Sequence, residues 1–242
     1  MKNYLDEHPL VKGQVLLFNK PLYWTSFDLV NKVRIMIRES TGIKKIKVGH
    51  AGTLDPLADG LMILCTGKAT RRIAEFTGLD KEYVAEIYIG KTTPSFDLET
   101  ETDGEYPTSH ITDALAEEAL RGFLGFQEQI PPAYSAKLVD GKRAYEFARK
   151  GIETTIKPVK VIFREIELLS FNLPVIKVRI LCSKGTYIRA FARDLGKTLG
   201  SGAYLSSLTR TAIGPYRIED ATGIEKFQLL LQKMKQTGNF SV

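Results

Sequence analysis

The chain has 242 residues, 43% of them hydrophobic and 26% charged, which suits one large or two small globular domains and excludes a disordered, collagen-like or disulfide-scaffold protein. Lys and Arg number 34 against 28 Asp and Glu, a net charge of +6. The longest apolar runs, such as Leu61 to Cys65, fall well short of the ~20 residues a membrane-spanning helix needs. Met1 to Lys12 carries acid and no apolar core, so it does not read as a secretory signal.

In chain order, Val15 to Phe18 predicts a strand ending at Asn19-Lys20-Pro21. Thr25 or Ser26 then caps a helix with Asp28 in its first turn and Phe27, Val30, Val33 and Ile37 as its apolar stripe. A Lys- and Gly-rich loop runs to Asp59-Gly60, and Leu61 to Cys65 reads as a buried strand. Tyr83, Ala85, Ile87 and Ile89 alternate along one face of a half-buried strand. The stretch between Asp97 and Glu105 is acidic; it lacks the spacing and flanking helices of a calcium loop and is expected to be a solvated loop. Thr112 caps a helix carrying Leu115, Ala119, Leu120 and Phe123, and Lys142 to Lys150 predicts a short helix stopped by Gly151. Val159 to Phe171 and Val175 to Cys182 predict an antiparallel pair, Ala190 to Leu199 a helix, and Ile224 to Lys235 a last amphipathic helix. Strands and helices mixed without a βαβ rhythm indicate an α+β fold.

Basic residues cluster at Lys44, Lys45 and Lys47, at Lys68, Arg71 and Arg72, at Lys137, Lys142 and Arg143, at Arg149 and Lys150, and at Lys184, Arg189 and Arg193. Such a distribution suits a phosphate backbone, and equally well a set of solvated faces. Cys65 and Cys182 have no Cys or His at ligand spacing, and with three histidines in the chain no metal site is implied. They read as two buried thiols in a reducing compartment.

Two segments have the composition of chemistry. In Gly49 to Leu61, glycines at 49, 52 and 60 surround Asp55-Pro56, and the proline stiffens the loop that holds the carboxylate. By itself an Asp-Pro pair is more often only a turn. In Cys182 to Arg189, a strand meets a helix at Gly185, and Arg189 is able to pair bidentately with a carboxylate; an isolated arginine there is more often a surface residue.

These segments occur with Lys20-Pro21 and Thr25-Ser26, Lys81-Glu82-Tyr83, Ile130-Pro131-Pro132 with Tyr134-Ser135-Ala136, Gly141-Lys142 with Tyr145, and Leu205 to Arg210. Over residues 13–220 this ordered set resembles the TruB family of tRNA pseudouridine synthases, which isomerise uridine 55 in the T-loop. One departure lies in the first motif, where the family often has Gly and this chain has Tyr23 followed by Trp24.

The resemblance implies a pseudouridine-synthase core, a mixed and largely antiparallel sheet flanked by helices. It implies Asp55 as the nucleophile, Arg189 as the arginine that pairs with it, and Tyr83 as the tyrosine that stacks on the target base and takes part in proton transfer. His50 would fill space beside the extruded nucleotides, and Tyr187 and Leu208 would line the uridine pocket. Without it, Tyr83 reads as a core aromatic and His50 as a loop histidine. The chemistry calls for a positioned carboxylate and no cofactor or metal; attack on the sugar, attack on the base and proton removal from the sugar stay open as routes. The expected domains are an N-terminal extension, 1–12, a catalytic domain, 13–220, and a C-terminal helix and tail, 221–242, with no C-terminal accessory RNA-binding domain. The expected partner is the T-arm stem-loop of tRNA, bound by a cytoplasmic monomer with no obligatory protein partner and no membrane. The alternatives are a pseudouridine synthase with another RNA target and a non-catalytic RNA-binding or RNA-folding module; an aspartate-dependent hydrolase lacks a phosphate cradle or a second acid at fixed spacing.

Overall fold

The computed structural model describes residues 8–139, 141–152 and 154–237. In chain order come α1 (Pro9–Lys12), β1 (Val15–Lys20), α2 (Ser26–Thr41), β2 (Val48–His50), β3 (Asp59–Thr66) and α3 (Ile73–Gly78). Then follow β4 (Lys81–Ile89), the short strands β5 (Lys91–Thr92) and β6 (Gly104–Glu105), α4 (Asp113–Gly122), β7 (Gly125–Gln129), the short strands β8 (Leu138–Val139) and β9 (Lys142–Arg143), and α5 (Ala144–Ala148). The chain continues through β10 (Val159–Asn172), β11 (Val175–Cys182), α6 (Ile188–Thr198), β12 (Ala203–Ile213), β13 (Tyr216–Arg217) and α7 (Ile224–Thr237). It divides into two compact units, Met1–Leu79 with Thr209–Val242, and Asp80–Leu208. Among the described residues no helix is long and apolar enough to cross a membrane.

In the first unit β3 pairs antiparallel with β1, from Val15↔Cys65 to Lys20↔Gly60, and with β2, while the second half of β12 joins it in parallel at Thr209↔Asp59 and Arg210↔Gly60. β3 is buried on both faces, which is why it reads as a continuous apolar run and not an alternation. Leu61, Ile63 and Cys65 pack with Ala51, Phe76 and Ile213. Phe18 meets Phe227 of α7 edge-to-face at 5.1 Å, and α7 lies on α2.

The second unit orders its strands β12, β4, β11, β10, β7. β11 pairs antiparallel with β4 and β10, and β10 with β7. Phe191 of α6 packs against Phe123 at 5.0 Å and against Phe163 of β10 at 5.3 Å, fixing the helices on the sheet. The mixed, mostly antiparallel sheet with helices is the expected α+β architecture.

Several local expectations need correction. The buried stripe of α2 is Ser26, Leu29, Val30, Val33, Met36 and Ile37, whereas Phe27 is 64% exposed. At about 100° per residue the stripe passes through Ser26 at the first turn and turns Phe27 outward. The Lys- and Gly-rich loop contains β2, and the predicted helix from Lys142 is shorter, because Lys142–Arg143 pair with Leu138–Val139 before α5 begins. The acidic stretch is not simply solvated: β5 and β6 close it with Lys91↔Glu105, and Asp97 is only 5% exposed. Of the expected extension, residues 1–7 lie outside the described residues, as do 238–242 of the tail; Leu10 of α1 is fully buried.

Candidate active site

In the first unit His50 ends β2, and the loop from there to β3 carries Asp55. Thr25 caps α2 through a reciprocal pair with Asp28: its hydroxyl accepts the Asp28 N–H at 3.0 Å and its own N–H donates to the Asp28 carboxylate at 2.9 Å. This fixes the start of the helix, and Ser26, next along, is aimed inward. Ser26 Oγ donates to Leu54 O at 2.9 Å and accepts the Leu54 N–H at 2.8 Å. The residue before Asp55 is therefore held at both backbone groups by one buried hydroxyl.

Arg210 of β12 grips the same loop. It is buried, and its guanidinium donates to Leu61 O at 2.7 Å, Thr53 O at 3.3 Å and Gly52 O at 3.3 Å. Gly60 makes this approach feasible: its φ is +108°, and a Cβ there would lie 2.4 Å from Arg210 O. Lys20, fully buried at the end of β1, donates to Pro21 O at 2.9 Å and Trp24 O at 2.6 Å. Burial pulls its ammonium down to about 8, although the charges of Asp59 and Asp55 work against the shift. Asp55 itself is half-buried, its carbonyl accepting from Ala58 N–H at 3.1 Å to close the turn. The His50 imidazole is pushed below its usual range by burial, and His50 Nδ1 is a buried polar atom without a hydrogen-bond partner, as is Asp59 Oδ1. Two such orphaned atoms, on the residues where β2 ends and β3 begins, leave hydrogen-bonding capacity for a polar ligand.

In the second unit Tyr83 stands on the buried face of β4. Arg189 is the second residue of α6 and is buried, which removes it from the basic surface set. It lies 3.5 Å from the Asp97 carboxylate and donates to Tyr134 O at 2.9 Å and Ser95 O at 3.4 Å. Tyr187, one residue before α6, is clamped by Gln129, whose side chain donates to its carbonyl at 3.0 Å and accepts its N–H at 2.8 Å. Leu208 is buried on β12. Within each unit the expected site residues thus sit on supports the sequence did not assign: Ser26, Arg210 and Lys20 around Asp55, and Asp97 and Gln129 around α6. Asp97 was hidden because it lies in an acidic run whose other members, such as Glu99 and Glu105, pair with Arg149 and Lys91 nearer the surface.

Of the basic clusters read from the sequence, Lys44, Lys45 and Lys47, Lys68, Arg71 and Arg72, Lys142 and Arg143, Arg149 and Lys150, and Lys184 are exposed. Lys47 and Arg34 line an open depression of about 440 Å³ together with Val48, Thr70 and Ile73.

Residues 38–188 match the model described as TruB family pseudouridylate synthase, N-terminal domain. The chain belongs to the TruB family. It is 61% identical over 216 residues to tRNA pseudouridine synthase B of Phocaeicola vulgatus, covering 89% of this chain and 92% of that relative. It is 49% identical over 223 residues to tRNA pseudouridine synthase B of Flavobacterium johnsoniae, covering 92% and 97%. Among solved structures, the crystal structure of a Cbf5–Nop10–Gar1 complex holds a chain that superposes with a TM-score of 0.73 at 24% identity, over 98% of this chain and 60% of that one. At that identity the likeness is one of fold, and the fold is the pseudouridine-synthase core that the TruB motifs implied.

Proposed function

We propose that this TruB-family chain isomerises uridine 55 in the T-loop of tRNA to pseudouridine, with Asp55 as the nucleophile. The observation that carries the reading is the identity of 61% across nine-tenths of a relative named tRNA pseudouridine synthase B, joined to an Asp55 loop held from both sides by Ser26 and Arg210. A carboxylate that must meet a reacting carbon within a few tenths of an ångström needs this kind of mounting.

The isomerisation breaks the bond between N1 of the base and C1′ of the ribose, forms one between C5 and C1′, and exchanges the hydrogen of C5 for one on N1. Nothing is oxidised and no group is donated, so neither a redox cofactor nor a co-substrate is called on. Uridine in a folded loop must first leave its stack, at a cost of a few kcal/mol. Stacking on Tyr83 and contact with Tyr187 and Leu208 offset that cost in this reading, with His50 filling space beside the extruded nucleotides. Arg189, its charge oriented by Asp97, takes in this reading the part of the arginine that the family pairs with its nucleophile. The exposed lysines and arginines bind phosphates of the T-arm, and the chain acts alone, in the reducing cytoplasm that two buried free thiols suit.

The test is a map of pseudouridine in tRNA from cells lacking this protein, paired with purified protein acting on an unmodified tRNA transcript. Loss of pseudouridine at position 55 in the cells and its appearance there in the transcript are expected; modification of another uridine in their place would overturn the assignment.

A further inference from the structure

The turn between β1 and α2 carries a feature that the support of Asp55 does not explain. The Trp24 N–H reaches back to Pro21 O at 3.4 Å, closing a four-residue turn whose third residue is Tyr23. Tyr23 has φ +68°. That is the position where a turn of this kind takes Gly or Asn, since a Cβ crowds the backbone in the left-handed region. A tyrosine there costs stability, and its ring returns nothing to the core, being 74% exposed. Leu22 and Phe27 beside it in the sequence are 42% and 64% exposed, so one short stretch sets three large apolar side chains in solvent.

The turn is fastened to the candidate active site. The Tyr23 N–H donates to Pro56 O at 2.8 Å, and Pro56 follows Asp55. A strained, solvent-facing aromatic whose backbone is tied to the residue after Asp55 is placed for a ligand and not for the fold. We infer that Tyr23, with Phe27, forms a stacking platform for an unpaired base of the RNA substrate, a nucleotide other than the one that reacts at Asp55. Single-stranded bases stack on exposed aromatic rings whatever their sequence, and tRNA loops supply such bases. The inference rests on the proposed function, because it takes the ligand at Asp55 to be RNA.

The test uses the full chain, a T-arm hairpin RNA and three variants. Tyr23→Gly removes the ring and relieves the backbone, so it should fold and melt about 2–4 °C higher. It should bind the hairpin about tenfold more weakly, with KM raised in step and the single-turnover rate at saturation changed less than about twofold. Tyr23→Phe should bind like the parent, and Tyr23→Leu like Tyr23→Gly, since flat area and not apolarity is what stacks. Trp24 is the single tryptophan of the chain, so quenching of its fluorescence by the hairpin gives a second readout at this turn. Unchanged affinity in Tyr23→Gly and Tyr23→Leu, with the parent active, overturns the platform. So does a shift from dimer to monomer in Tyr23→Gly with KM unaltered, which would make the patch a contact between copies of the chain. An inactive parent would count against the proposed function instead.

Discussion

Replacing Ser26 by alanine isolates what holds the Asp55 loop. The substitution deletes one buried oxygen and with it both bonds to Leu54, at 2.9 and 2.8 Å. The Leu54 N–H and C=O are then left without that partner, in a residue only 4% exposed. A buried polar group stripped of its partner costs about 1–3 kcal/mol, so the pair should cost roughly 2–6 kcal/mol. For a chain of this size that lowers the melting temperature by about 4 °C or more. Thr25→Ala is the control, because it deletes the neighbouring cap at the surface and should cost only about 1 kcal/mol. The two changes share a helix end, so their difference reports the clamp. With Leu54 loosened, Asp55 loses its aim, and a shift of about 1 Å is enough for a hundredfold loss of rate. Circular-dichroism melts and single-turnover assays should give kcat down about ten- to hundredfold with KM within about twofold. If Ser26→Ala melts no lower than Thr25→Ala, or turns over at the parent rate, the clamp is not what positions the loop.

Three further outcomes follow from the same geometry. Lys20 titrates near 8 in the folded chain against 10.5 for an ordinary lysine, so between those values the unfolded chain binds the extra proton and stability rises with pH; below about 8 the penalty is present in full. Urea melts from pH 7 to 10.5 should show this rise, on the order of 3 kcal/mol, and Lys20→Met should flatten it; parallel curves would refute it. Asp97→Asn removes the carboxylate 3.5 Å from Arg189 and should cost a few kcal/mol of stability and lower kcat more than hairpin affinity; melts and single-turnover rates check both, and unchanged kcat would make the pair purely structural. Changing the exposed Lys44, Lys45 and Lys47 together to Gln should flatten the salt dependence of binding, by up to about 0.7–0.9 in log–log slope for each phosphate no longer neutralised, and leave the modified position unchanged.

How much of this was legible in the sequence depended on whether a signal was local. Thr25 as a cap, the alternation of Tyr83 to Ile89, and the Val159 to Cys182 pair are set by short-range rules, and the structure keeps all three. β12 escaped because its Ser and Thr residues dilute the apolar pattern, although the strand carries both Leu208 and Arg210. β2, only three residues long, is a strand because β3 supplies its partner. Asp55 stood out through Pro56 and its flanking glycines, but its supports come from Ser26 and Arg210, which lie far from it along the chain. Asp97 illustrates the limit most clearly: nothing within the acidic run marks the one member that turns inward, since its partner Arg189 is reached only by folding.

One paired measurement tests directly whether Asp55 drives the isomerisation. tRNA carrying tritium at C5 of uridine releases the label as pseudouridine forms, so label in the solvent counts turnovers. The parent should release the label of uridine 55 to completion. Asp55→Asn, which keeps the volume and removes the charge and the nucleophilic oxygen, should release none above background while its melting temperature and filter-binding affinity stay near those of the parent. Release by Asp55→Asn within about tenfold of the parent rate would show that the Asp55 carboxylate is not the nucleophile.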